Sequence, residues 1–449
     1  MGFPRRPGSA PIALAGALAA ALAAGLVALL LVAPPGGHSA GGRGASGEAA
    51  PAGRALASQA PESPAAAEVG RLLQRRAVAL LGRDRLGFLT TVDPGSPVFR
   101  RSQAALFDAL AAVPLRTWSY QLDPYGQRTV PASRRARYAA PTYLPSVVRL
   151  SYALAGFDAV PTVLPMYLTF VRRPAGWLLA SDSDLDATGV RTVRELWDFG
   201  PVAVATGRRS LVLGHPHARK ALTALALETD RAVPAVTAVW GAGWAQRVVL
   251  LVPASSTELS RLLNGARDVS GLAAVATAWT TGTSAPLGQR VLVNPPNFER
   301  LGRLGRRVVL THEIAHLAAR GATGAATPTW LVEGFADYVA YRAAAVPVGD
   351  AARELAADVR AGRIPPGLPA ATRFGGVTGR VAQAYEEAWL ACRMIAESGG
   401  PAAVVRFYRA TGGRGDPATV LAGAFRDVLG TTEAAFTARW RGYLGAQLS

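Results

Sequence analysis

His312 and His316 enclose Glu313 in the run His312-Glu313-Ile314-Ala315-His316, and Glu333 follows within Trp330-Leu331-Val332-Glu333-Gly334-Phe335-Ala336-Asp337-Tyr338. Histidines four positions apart on a helix stand one turn apart on one face, so both imidazoles can reach a single metal ion. Glu313 projects about a quarter-turn away, where it can hold a water on that ion. Glu333 offers a carboxylate as a third ligand. Three protein ligands leave one tetrahedral position open, which a catalytic zinc needs and a structural zinc lacks. Asp337 lies one turn beyond Glu333 on the same face. There its carboxylate can accept a hydrogen bond from the second nitrogen of a ligating imidazole and fix that ring's tautomer. The bland alternatives are two histidines packing a helix face and a solvated Asp337. The chain has only 5 histidines in 449 residues, which makes this spacing a poor candidate for chance.

The elements that must position these residues are readable. Residues 303–320 contain no proline and carry Leu304, Val308, Leu310, Ile314 and Leu317, and Gly321 follows as a natural helix stop. A second helix is expected from Thr327-Pro328-Thr329 through Tyr341, with proline tolerated in its first turn. Glu333 and Asp337 would share one face of it. Two antiparallel helices joined by a short loop would then meet at one ion.

The pairing of HEIAH with WLVEGFADYV resembles the gluzincin metallopeptidases, in which HExxH lies on one helix and ExxxD on the next. The Trp-Leu-x-Glu-Gly-x-Ala form is most similar to the aminopeptidase N-like branch and to the bacterial peptidase MA-like family. The resemblance implies a zinc peptidase acting on a peptide or protein substrate. His312, His316 and Glu333 would bind Zn2+, and Glu313 would be the general base that also protonates the leaving amine. Gluzincins of the aminopeptidase type bring a tyrosine from a later helix to the oxyanion, and Tyr385 in Ala384-Tyr385-Glu386-Glu387-Ala388-Trp389 resembles it. The family's usual Tyr-x-Lys-Gly is replaced here by Glu387 and Ala388, so Tyr385 as a plain amphipathic-helix aromatic stays open. No Gly-Ala-Met-Glu-Asn-like exopeptidase segment precedes HEIAH, and Arg290 to Asn294 is the expected substrate strand.

A net charge of +18 would ordinarily suggest nucleic acid. Lys220 is the only lysine, however, and the arginines are scattered in short pairs without interleaved aromatics. Abundant Ala, Gly, Pro and Arg is the pattern of a GC-rich bacterial genome such as an actinobacterium's. No nucleic-acid partner is expected. Arg5 and Arg6 precede an uncharged apolar stretch in which Ile12 to Ala33 is long enough to span a bilayer. This predicts a single-pass membrane anchor with an extracytoplasmic bulk, the alternative being secretion after signal cleavage. Cys392 is the only cysteine, so no intramolecular disulfide forms, and its apolar helical surroundings make it a core residue.

The expected organisation is α+β in four parts. Residues 1–33 form the cytoplasmic tip and transmembrane helix. Residues 34–67, rich in Ala, Gly, Pro and Ser, form a disordered linker. Residues 68–189 read as two helices, Val69–Thr91 and Phe99–Ala112, followed by antiparallel strands such as Val148–Leu154 and Val163–Val171. That order resembles the cone-like nuclear-transport-factor-2-like fold. Residues 190–449 read as a two-lobed zincin metallopeptidase domain with a helical C-terminal part. Strands are expected at Ser210–Gly214 and Arg247–Pro253, with a helix over His217–Arg231. The leading functional expectation is a membrane-anchored zinc metallopeptidase. The rival from another class is a catalytically inactive binding or scaffold protein of the cell envelope, and a third reading is zinc hydrolysis of a non-peptide amide.

Overall fold

The computed structural model describes residues 30–32 and 63–449, apart from 124–125, 266–267, 280–286 and 376–378. Two compact units divide the chain. One comprises Val32–Val202 and Trp279–Gly288, and the other Ala203–Ala278 and Gln289–Ser449, with Leu30 and Leu31 grouped with the latter.

In the first unit, a helix spans Pro64–Leu81. The Ser63 hydroxyl accepts the Ala66 N–H at 3.1 Å and caps it, and Pro64 occupies the first turn. The chain is thus already helical at Pro64, inside the stretch expected to be linker. Val69, Leu72, Leu73 and Leu80 form its buried face. The single helix expected over Val69–Thr91 breaks at Gly82 and resumes at Arg85–Thr90, where the Asp84 carboxylate caps the Gly87 N–H at 2.8 Å. A third helix covers Pro97–Ala109. The strand expected over Val163–Val171 is two strands, Thr162–Met166 and Thr169–Arg173. Between them the Tyr167 N–H leaves the ladder and donates to Thr192 Oγ1 at 3.0 Å. The chain there passes from a three-stranded antiparallel sheet to a four-stranded one. Arg76 is buried beneath these strands, its guanidinium 3.6 Å from the Phe88 ring centroid and donating to Thr91 Oγ1 and Gln103 Oε1.

The second unit opens with a sheet built from β1 (Ala203–Thr206), β2 (Ser210–Gly214), β3 (Val248–Val252), β4 (Ala274–Trp279) and β5 (Leu287–Val293). Their spatial order is β4-β5-β3-β2-β1, with the short strand Leu30–Val32 beyond β4. β2, β3 and β5 are parallel, with Val212 opposite Leu250 and Leu250 opposite Val291. Every residue of β2 and β3 is buried, as expected of parallel strands covered on both faces. Helix α1 (Arg219–Trp240) connects β2 to β3 and runs through Pro234, well past the expected end at Arg231. Val233, Val236 and Trp240 continue its buried face, and their burial outweighs the proline's missing N–H.

The longer helices after the sheet are α2 (Arg303–Ala319), α3 (Thr329–Ala344), α4 (Val381–Gly399), α5 (Pro401–Thr411), α6 (Pro417–Leu429) and α7 (Glu433–Leu448). Asp416 and Thr432 cap α6 and α7 through Thr419 N–H at 2.9 Å and Ala435 N–H at 3.2 Å. Phe407, Phe425, Phe436 and Trp440 pack the helices together and are buried. Among the described residues no helix is long and apolar enough to cross a membrane. The apolar stretch Ile12 to Ala33 lies outside them, except for the extended Leu30–Val32.

Candidate metal centre

α2 brings His312, Glu313 and His316 together, and all three are buried. α3 packs beside it and delivers Glu333 and Asp337, with exposures of 0% and 1%. His312 Nε2 and His316 Nε2 face each other at 2.9 Å. Glu333 Oε2 stands 3.4 Å from His312 Nε2 and 3.6 Å from His316 Nε2. Neither Glu333 oxygen makes a hydrogen bond of good geometry among the described residues, although both are buried. A buried carboxylate without a partner is costly. A divalent ion held tetrahedrally with bonds of about 2.1 Å separates its ligand atoms by about 3.4 Å, close to what is seen here. The residues therefore fit a zinc ion.

The surrounding contacts hold that set in place. Asp337 Oδ1 lies 2.8 Å from His312 Nδ1, which leaves His312 Nε2 turned towards His316 and Glu333. Glu313 Oε2 accepts the Ala276 N–H of β4 at 2.7 Å. Burial drives the Glu313 carboxyl up from its usual range, while His312 and His316 pull it back. Burial likewise opposes ionisation of Glu333, but His316 and His312 overcome it and hold that carboxyl below its usual range. Burial opposes charge on His312, yet Asp337 and Glu333 lift its pKa well above normal. The two carboxyls are thus pushed in opposite directions, Glu313 up and Glu333 down.

Tyr385 comes from α4, its ring centroid 6.4 Å from that of His312 and 5.2 Å from that of Phe374. The next two residues do not reach the histidines. Glu386 accepts the Leu355 N–H at 2.6 Å, and Glu387 is gripped by both terminal nitrogens of Arg373 at 2.5 and 2.8 Å. α3 and α4 meet closely at Gly334, where an added Cβ would stand 2.2 Å from the Ala388 carbonyl oxygen.

The strand beside the site is β4, not the expected Arg290–Asn294. Arg290 to Val293 of that segment lie in β5, which runs inside the sheet between β4 and β3. Ala274-Val275-Ala276-Thr277-Ala278-Trp279 hides its strand character behind three alanines, and only the alternation of Val275, Thr277 and Trp279 signals it. His215 sits apart from the metal group, with Nε2 2.8 Å from Glu258 Oε1 and its ring stacked on His217. Cys392 is wholly buried, and burial raises its thiol well above its usual pKa.

No protein-family model matches the sequence, and no curated protein matches it. Among solved structures the chain is similar to a two-domain M1 zinc metallopeptidase, solved as a point mutant bound to L-arginine, at 17% identity and a TM-score of 0.30. The match covers 56% of this chain and 52% of that one, so the chain spans about half the length of the structure it matches.

Proposed function

We propose that the chain is a zinc metallopeptidase of the gluzincin type, anchored in the cell membrane with its folded units outside the cytoplasm. The observation that supports this most is the convergence of His312 Nε2, His316 Nε2 and Glu333 Oε2, all within 4.8 Å of one another, with Glu313 on the same helix. Zinc held there would supply a Lewis acid for the scissile carbonyl and a water acidified towards a pKa of about 7. Glu313, on the same helix, would serve as the proton carrier, its carboxylate placed to accept a proton on the attacking side and to release one to a departing amine. Asp337 holds the His312 ring in one tautomer. Tyr385 presents its hydroxyl to the developing oxyanion. Peptide bonds are the proposed substrate class, and a base and an oxyanion donor beside such an ion are what hydrolysis of any amide requires. The first unit, helices followed by antiparallel strands, is read as a non-catalytic module of nuclear-transport-factor-2-like type.

Glu313→Gln tests the proposal. The variant keeps the shape of the site and loses the base, so it should bind zinc as the wild type does. Cleavage of a quenched-fluorescent peptide pool should fall by about 10²-fold or more. Undiminished cleavage would assign the activity elsewhere. No cleavage by either protein would favour the scaffold reading.

A further inference from the structure

Arg320 is 3% exposed, yet its Nε and Nη1 atoms have no hydrogen-bond partner among the described residues. It follows α2 directly, two turns beyond Glu313 and therefore on the same face. Its Nη2 donates to the Ala276 carbonyl at 3.2 Å, while the Ala276 N–H donates to Glu313 Oε2 at 2.7 Å. The N–H and C=O of one strand residue point the same way, so both polar groups of Ala276 are taken by side chains of the metal-binding helix and its continuation. A guanidinium buried with two idle donors is a poor stabilising device, because an apolar side chain of similar volume is often neutral or better. Burial lowers its pKa to about 10, with Glu313 pulling the other way, so it stays charged at neutral pH.

We propose that Arg320 is a positioning residue for hydrolysis: it clamps β4 at Ala276, and the clamped amide in turn aims the Glu313 carboxylate. This rests on the zinc-peptidase reading for its kinetic arm only. Without Arg320 the Ala276 carbonyl is released, the strand loosens, and the amide no longer holds Glu313 at one orientation. The metal ligands are untouched, so zinc stays bound.

The test compares full-length wild type with Arg320→Met and Arg320→Lys, all loaded with zinc. Exchange of the Ala276 amide proton is followed, together with kcat and KM on a quenched-fluorescent peptide that the wild type cleaves. Arg320→Met should keep its zinc and exchange the Ala276 proton about tenfold faster or more. Its kcat should fall by about tenfold or more with KM little changed. Arg320→Lys, which offers one donor to the same carbonyl, should fall between the two. Unchanged exchange overturns the proposal even if kcat falls, and so does faster exchange with unchanged kcat. If Arg320→Met does not fold, Arg320→Lys decides: wild-type values of both readouts overturn the clamp, and a shift in both supports it. If the wild type cleaves nothing, the peptidase reading fails, and exchange alone then decides whether the clamp exists.

Discussion

Gly334→Ala should separate helix packing from helix propensity at the metal centre. Gly334 follows the candidate ligand Glu333 on α3. An added Cβ would stand 2.2 Å from the Ala388 carbonyl oxygen and 3.1 Å from Cys392 Sγ, where ordinary contact begins at 3.4 Å. The close atom is backbone and cannot rotate aside, so α3 and α4 must part by an ångström or more at this point. Propensity favours alanine over glycine inside a helix by about 1 kcal/mol. Overpacking a tight interface costs about 1–3 kcal/mol, occasionally more, and a clash this deep belongs at the upper end. The clash should win, leaving a net destabilisation of about 2 kcal/mol. Metal–ligand distances tolerate only about 0.2 Å, so a displaced Glu333 should also weaken zinc binding by about tenfold or more. Denaturant unfolding of the metal-free protein measures the first effect, and zinc competition against a chelator measures the second. Gly349→Ala is the control, since its Cβ would meet nothing within 4 Å. A Gly334→Ala protein as stable as the control, with wild-type zinc affinity, would refute the packing argument.

Asp337→Ala should lower zinc affinity by about 10–100-fold, because His312 loses the carboxylate 2.8 Å from its Nδ1; chelator competition checks this. Tyr385→Phe should reduce kcat by about 10²-fold or more while leaving KM and zinc content near wild type, as steady-state kinetics would show. Arg373→Met leaves Glu387, with a 0% exposed side chain, as an uncompensated buried charge and should destabilise the fold by about 3–5 kcal/mol in denaturant unfolding. Glu386 is driven up from 4.5 to about 10 by burial and by the neighbouring Glu354 carboxyl. Its folded-state pKa is raised, so its contribution favours the fold below pH 4.5 and is lost as pH rises from there to about 10. Thermal midpoints should fall across that window in the wild type, and Glu386→Gln should flatten the fall.

The convergence of His312, His316 and Glu333 was legible because its information is local. Two histidines one turn apart need only a helix, and Glu333 with Asp337 needs only a second one. Both helices carry their own signals in Gly321 and Pro328. What escaped the sequence depends on burial that no local pattern records. Arg320 reads as an ordinary basic residue near a helix C-terminus, where cations are common and solvated; only the fold reveals that β4 covers it. The alanines of β4 conceal a strand that its place beside α2 imposes. Pro234 reads as a helix stop, yet Trp240 and Val236 behind it bury enough surface to carry α1 onwards. The break at Tyr167 falls two residues after Pro165, which itself stays in the strand, and the partner that takes the Tyr167 N–H, Thr192 Oγ1, lies far along the chain.

The most direct test is an anomalous-scattering map, collected at the zinc absorption edge from crystals of the zinc-loaded chain. A single peak about 2.0–2.2 Å from His312 Nε2, His316 Nε2 and a Glu333 carboxylate oxygen is the result expected of a catalytic zinc site. A map with no peak between α2 and α3, or with zinc bound elsewhere while Glu333 points away from both imidazoles, would contradict it.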